Sequence, residues 1–202
     1  MTQGPGNGPA PATASPSATI NPATTVYAID ANGDVFGVNS ATDTTTDPIP
    51  TNGGVLSFVM APGGQTAYAL LNDGLIVPID TASGRLGTEI QVPSSLSYDA
   101  MAISPDGSTI FLSDEQSGFV LPIDIATGRT ENVITTGGGP GPMAFSLSGA
   151  TGYVLDQYAD SVTAFSTVSH QVLATIRVGK EPVGISAAPS GTVYVAVAID
   201  AP

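Results

Sequence analysis

The sequence predicts an all-β protein, a β-propeller of four-stranded antiparallel blades, and three observations carry that expectation. A short turn recurs. "APGG", "SPDG", "SLSG" and "APSG" end at Gly64, Gly107, Gly149 and Gly191, which stand 43, 42 and 42 residues apart. An aromatic residue follows each turn in step, at Tyr68, Phe111, Tyr153 and Tyr194. A third marker reads "PIDTASGR" at Pro78–Arg85 and "PIDIATGR" at Pro122–Arg129, with "AFSTVSHQ" at Ala164–Gln171 in the corresponding place. Each repeat has room for four short β-favouring runs, and no stretch shows a sustained 3.6-residue apolar period with caps. A β-solenoid is the competing architecture, but its repeats are shorter and carry fewer strands.

Taken in order, residues 1–23 are rich in Gly, Pro, Ala, Ser and Thr ("TQGPGNGPAPATASPSAT"), cannot bury a core, and read as a flexible lead. The repeats then occupy about 24–52, 53–94, 95–136, 137–179 and 180–202. The first offers strands at Val26–Asp30, Asp34–Val38 and about Thr44–Ile49. Its aromatic is Tyr27, and only "SATI" at Ser17–Ile20 stands as a weak inner strand. The middle three are whole. In the third repeat the strands fall at Ala100–Ser104, Thr109–Ser113, Phe119–Asp124 and Thr130–Thr135. The last repeat has Val183–Ala187 and Val193–Ile199 only. About four and a half repeats lead us to expect an open arc or fragment of a larger, seven-bladed ring. "SPDG" is the turn between inner and second strand: Pro presets φ and Gly accepts φ > 0. Repetition follows because one sheet cannot cover both its own faces.

The stretch "GYVLDQYADSVTAFSTVSHQVLATIRVGKEPVGISAAPSGTVYVAVA", Gly152 onward, resembles the YVTN β-propeller repeat family. Tyr153-Val154-Leu155-Asp156 matches Tyr-Val-x-Asn with Asp for Asn. "ATIRVGKEPVGISAAPSG" matches the family's "ATIPVG…G-I-A-x-S-P-D-G", with Arg177 where Pro is common. The resemblance covers about residues 24–200 and implies the propeller fold. The family includes surface-layer and secreted propellers, and lactonase-like and quinoprotein-like propellers share the architecture.

Composition narrows the function. The formal charge is −13, with Lys180 the only lysine and Arg85, Arg129 and Arg177 the only arginines. Nucleic acid is therefore a poor partner, because phosphate neutralisation needs bases. No run approaches the roughly 20 apolar residues that span a bilayer, so no membrane insertion is expected. No signal peptide is visible at the start. The lead resembles stalks that follow export signals, and we expect an extracytoplasmic or secreted protein. Cys is absent, which removes disulfides and thiol nucleophiles.

Alternating strand direction places the turns between second and third strands on one end of the sheets, together with the connectors between repeats. That end receives the ligand-face candidates Asp30, Asp34, Asp73, Asp114, Glu115, Asp156 and Asp160, along with Asp99, Glu181 and the base Lys180. Such a face can concentrate Ca²⁺ or a cationic ligand, although "DANGD" does not meet the calcium-loop pattern. "TGGGPGP" (Thr136–Pro142) lacks the helix or Lys that phosphate binding needs and reads as a connector. The opposite end receives Asp106, Asp80 with Arg85 and Asp124 with Arg129, both expected to bridge a turn, and His170 as a surface turn residue. No catalytic set converges and no cofactor is implied. The expected function is a non-catalytic binding or scaffold module presenting its acidic loops to a protein, glycan or small-molecule ligand. The alternative is a lactonase-like hydrolase using a metal held by loop carboxylates. A quinone-cofactor propeller would need cationic and aromatic groups that are scarce here.

Overall fold

The computed structural model describes residues 25–94 and 96–198. The lead, the weak strand at Ser17–Ile20 and Ile199 lie outside the described residues. The described chain is all β, in antiparallel sheets. The first sheet holds β1 (Thr25–Ile29), β2 (Val35–Asn39) and β3 (Thr44–Thr45). The second holds β4 (Val55–Met60), β5 (Thr66–Leu71), β6 (Leu75–Asp80) and β7 (Ile90–Gln91). The third holds β8 (Tyr98–Ile103), β9 (Thr109–Asp114) and β10 (Phe119–Asp124), with β11 (Arg129–Thr130) and β12 (Ile134–Thr135) both paired to β10. The fourth holds β13 (Pro140–Phe145), β14 (Thr151–Asp156), β15 (Ser161–Ser166) and β16 (Val172–Arg177). The last holds β17 (Pro182–Ala187) and β18 (Val193–Val197).

The pairing register places the four aromatic residues at equivalent positions. Tyr68 lies opposite Val59 and Pro78, Phe111 opposite Ala102 and Pro122, and Tyr153 opposite Ala144 and Ala164. Tyr194 lies opposite Ser186, and each inner-strand partner is the fifth residue of its strand. The turn before each aromatic closes identically: the amides of Gly64, Gly107, Gly149 and Gly191 donate to Ala61, Ser104, Ser146 and Ala188 at 2.8–3.0 Å. All four glycines have positive φ, 72–86°, which a side chain rarely adopts. The fourth strand departs from expectation. Thr130–Thr135 is not one strand, because Glu131, Asn132 and Val133 leave the ladder between β11 and β12, and Thr44–Ile49 keeps only β3 and a bridge from Ile49 to Val35. An outer strand pairs on one side only, so a local contact can pull it away cheaply.

Each second strand alternates its side chains between two neighbouring sheets. On β5, Ala67, Ala69 and Leu71 join Val35 and Ile49 of the first sheet, while Tyr68 and Leu70 join Tyr98, Met101, Ile110 and Leu112 of the third. On β9, Ile110 and Leu112 face back to the second sheet, while Phe111 faces on to Val154 and Phe165 of the fourth. Phe111 is wholly buried, its ring 5.4 Å from Phe165 and 5.5 Å from Phe145. Gly152 makes room for this cluster, since a Cβ there would stand 2.2 Å from the Phe165 ring.

Phe111→Ala should cost about 3–5 kcal/mol by urea denaturation, as for other buried phenylalanines. Gly152→Ala should cost about 1–3 kcal/mol through overpacking, and Gly152→Ala with Phe165→Leu should recover part of it. Equal stability of Gly152→Ala and the parent would contradict the packing described.

Candidate functional site

The carboxylates sort by how each turn is built. Connectors bind the turns between second and third strands: the Thr51 hydroxyl donates to the Gly33 carbonyl (2.9 Å), the Gln91 amide to Gly74 (2.9 Å) and the Thr136 hydroxyl to Gly118 (3.2 Å). In the fourth sheet Asp160 takes the glycine's place, with φ 51°, and accepts the Val178 amide on its carbonyl and the Glu181 amide on Oδ1 (3.0 Å). Asp30, half-buried, caps its own turn by accepting the amides of Asn32 (2.8 Å) and Asp34 (3.0 Å). Its partial desolvation acts upward, but hydrogen bonds from Asp34, Asn32 and Gly33 hold its carboxyl below the ordinary value. Asp34 is half-buried, and Asp73 is exposed, accepting the Leu75 amide (3.2 Å).

Asp114 and Asp156 are not solvated, contrary to the sequence expectation. Both are 0% exposed. They end β9 and β14, opposite Tyr98 and Pro140, in the slot that Leu71 fills opposite Val55. Alternation therefore turns them into an interface between sheets instead of out to water. Asp114 accepts the Ser117 amide (2.8 Å) on Oδ1, and its Oδ2 has no hydrogen-bond partner. Asp156 Oδ2 accepts the Thr163 (2.6 Å) and Ser161 (3.2 Å) hydroxyls, and its Oδ1 has none. Burial pushes the Asp156 carboxyl up, against opposing contributions from Thr163, Ser161, Gly137 and Thr136.

Three side chains meet at the solvent-facing part of this end. Each inner strand opens with a register shift, which skips Leu56 in β4 and Asp99 in β8 and turns both out to solvent. Asp99 Oδ2 accepts the Glu115 amide at 2.8 Å. Burial raises the Asp99 carboxyl, opposed by that amide and helped by the charges of Glu115 and Asp114. Tyr158 is 72% exposed, and its hydroxyl lies toward Glu115, which raises the phenol's pKa, with burial and the charge of Asp99 adding to it. Burial, then the charge of Asp114, pushes neighbouring Tyr98 up to about 12. The glycines of "TGGGPGP" have a packing reason. A Cβ on Gly139 would stand 2.7 Å from the Tyr158 ring, and one on Gly137 2.9 Å from Asp156 Oδ2. Tyr158 was not singled out in the sequence; its signal is an aromatic inside the acidic turn "DQYADS". Among the described residues, no group of three or more His, Asp and Glu side chains is placed to hold a metal ion.

The opposite end also differs from expectation. Asp80 Oδ1 accepts the amide and hydroxyl of Ser83, and Asp124 Oδ1 those of Thr127, at 2.6–2.7 Å. The arginines form no ion pair with them within the described residues, whose one such contact is His170 Nδ1 to Glu131 Oε2 at 3.1 Å. His170 does occupy the turn position of Gly84 and Gly128, with φ 56° against 68° and 66°. Its side chain, however, is only 8% exposed and packs edge-on against Phe111, with ring centroids 6.0 Å apart.

No protein-family model matches the chain, and no curated protein matches it. Solved structures do. Hydrazine synthase of Kuenenia stuttgartiensis is similar over 68% of this chain and 40% of its own, with TM-score 0.61 and 20% identity. A functionally unknown protein of Desulfotomaculum acetoxidans DSM 771 is similar over 89% of this chain and 61% of its own, with TM-score 0.76 and 17% identity. The chain therefore spans less than two thirds of either, and at these identities the likeness is one of fold. With the antiparallel four-stranded sheets, it is compatible with a partial β-propeller.

Asp156 sets a pH dependence. Its carboxyl loses its proton at a lower pH in the unfolded chain, near 3.8, than in the folded protein. Its contribution to stability is therefore whole below that value and is lost as pH rises through the folded pKa. Asp156→Asn should be more stable than the parent at pH 7 by urea denaturation and should lose that advantage near pH 3.5. A difference that does not change with pH would contradict the burial argument.

Proposed function

We propose that this chain is a non-catalytic binding or scaffold module of the YVTN β-propeller type, an open arc of about four and a half repeats presenting its acidic loop end to a cationic ligand or protein partner. One observation carries the reading: exposed Asp99 and Tyr158 come together with half-buried Glu115 at that end, and among the described residues neither carboxylate is ion-paired with a base. An exposed phenol ring beside two carboxylates suits an alkylammonium or guanidinium group. The YVTN assignment is supported by where the matching residues lie. Tyr153-Val154-Leu155-Asp156 sit in β14, a second strand, and "ATIRVGKEPVGISAAPSG" runs through β16, a connector, β17 and its turn. The arc is supported by the bare outer faces of the first and last sheets, with Val26 and Tyr194 each 62% exposed. The composition of the lead supports an extracytoplasmic location.

Titration calorimetry with an oligolysine peptide at low ionic strength tests the binding reading. Binding should weaken roughly tenfold in Asp99→Asn with Glu115→Gln, and should fade as salt screens the charges. Equal affinity in the double variant, or no heat at all from the parent, would remove the acidic end as the site.

A further inference from the structure

We infer that the connector between the first and second sheets is a self-modification site: at Asn52–Gly53 the side-chain amide exchanges for a carboxylate without an enzyme. The inference goes beyond the binding reading and does not depend on it. The described residues contain two Asn-Gly steps, Asn32–Gly33 and Asn52–Gly53. Such a step is chemically labile, because the glycine amide nitrogen can attack the asparagine Cγ and glycine has no side chain to shield it. Whether it reacts in a folded protein depends on what holds the two groups.

The fold treats the two steps differently. Gly33 is buried, and its amide, the nucleophile, donates to the Asp30 carbonyl at 3.1 Å. Asn32 is tied down as well. Its backbone amide donates to Asp30 Oδ1 (2.8 Å), and Nδ2, the group that would leave, donates to Asp30 Oδ2 (3.1 Å). Attack at Asn32 therefore requires the turn to open first, against hydrogen bonds to a carboxylate. Asn52 is exposed and stands at φ 60°, in the left-handed region that asparagine tolerates. Among the described residues neither its side chain nor the Gly53 amide has a hydrogen-bond partner, and only the Gly53 carbonyl is held, by the Thr51 hydroxyl at 3.0 Å. A second glycine, Gly54, follows and leaves the backbone free to turn toward Cγ.

The reaction needs only water from outside. The Gly53 nitrogen bonds to Asn52 Cγ and gives up its proton, and the Cγ–Nδ2 bond breaks to release ammonia, leaving a cyclic imide. Water then opens the imide at one of its two carbonyls, with nothing oxidised or reduced. Opening at Cγ gives aspartate. Opening at the main-chain carbonyl gives isoaspartate, in which the chain runs through the side-chain methylene. Either product adds a negative charge to the end that already carries Asp30 and Asp34. The isoaspartyl link also lengthens the chain where the connector is fastened to the first sheet, since the Thr51 hydroxyl bonds both the Gly33 carbonyl (2.9 Å) and the Gly53 carbonyl.

Peptide mapping by mass spectrometry tests this on the full chain, incubated in warm, mildly alkaline buffer, both folded and in concentrated urea. In the folded protein Asn52 should lose its amide first, giving aspartyl and isoaspartyl peptides that chromatography separates, while Asn32 keeps its amide. In urea the two steps should react alike, because only the fold distinguishes them. Gly53→Ala, whose Cβ would lie 3.1 Å from the end of the Leu71 side chain, should keep the amide at Asn52 under the folded conditions, since the added methyl group shields the nucleophile. An unchanged Asn52 in the folded protein, loss at Asn32 as fast as at Asn52, or conversion as fast in Gly53→Ala would each overturn the inference. So would a difference between the two steps in urea as large as in the folded protein.

Discussion

The second strand of each sheet has two apolar faces, and its own sheet can cover neither. That constraint organises the molecule. Ala67, Ala69 and Leu71 need the first sheet, and Tyr68 and Leu70 need the third. Phe111 in turn needs the fourth. Burial of this kind, worth about 25 cal/mol per Å² of apolar surface, is the main favourable term available to a chain that has no cysteine and whose described residues hold a single ion-pair contact. Stability is therefore shared between neighbouring sheets, and in the proposed open arc it is greatest in the middle and least where a face has no neighbour. The inner strands β4, β8, β13 and β17 stand beside one another in sequence order, so the turns at one end are gathered together.

The acidic end follows from that geometry. A residue at the end of the second strand can be turned into an interface or left in a turn, and the register decides which. Leu71 in the buried slot is unremarkable. Asp114 and Asp156 in the same slot are costly, each with one carboxylate oxygen unpaired, and desolvation acts on Asp156 accordingly. The residue skipped by the register shift, by contrast, is turned outward in every sheet where it is single: Leu56, Asp99 and Val183 are all exposed. Only at Asp99 does that outward position carry a charge, and there Glu115 and Tyr158 come to meet it.

Much of the fold was legible because each repeat restates the same message. The glycine of each turn, the aromatic three or four residues later and the "PID" run fix strand order and register without reference to structure. The grouping of turns and connectors at one end also followed from strand alternation and is seen in the bonds from Thr51, Gln91 and Thr136. What was not legible lay in the pairing details within the repeat. The fourth strand pairs on one side only and breaks at the same step in two sheets, where the Gly87 and Glu131 amides donate to Pro78 and Pro122 and the ladder then stops until Ile90 and Ile134. Whether a terminal carboxylate such as Asp114 faces water or the next sheet depends on parity along the strand, which residue type alone does not record. Tyr158 gains its place from the bare glycines of a connector about twenty residues earlier, a contact that neither segment advertises alone.

Native-state hydrogen exchange measures the central claim directly, because it reads the free energy of opening strand by strand. If neighbouring sheets supply the stability, amides of β5, β9 and β14 should exchange only through global unfolding, while those of β1, β16 and β18 should exchange through smaller, local openings. Equal protection from β1 through β18 would contradict the account, since it would mean that the outer faces are covered as fully as the inner ones.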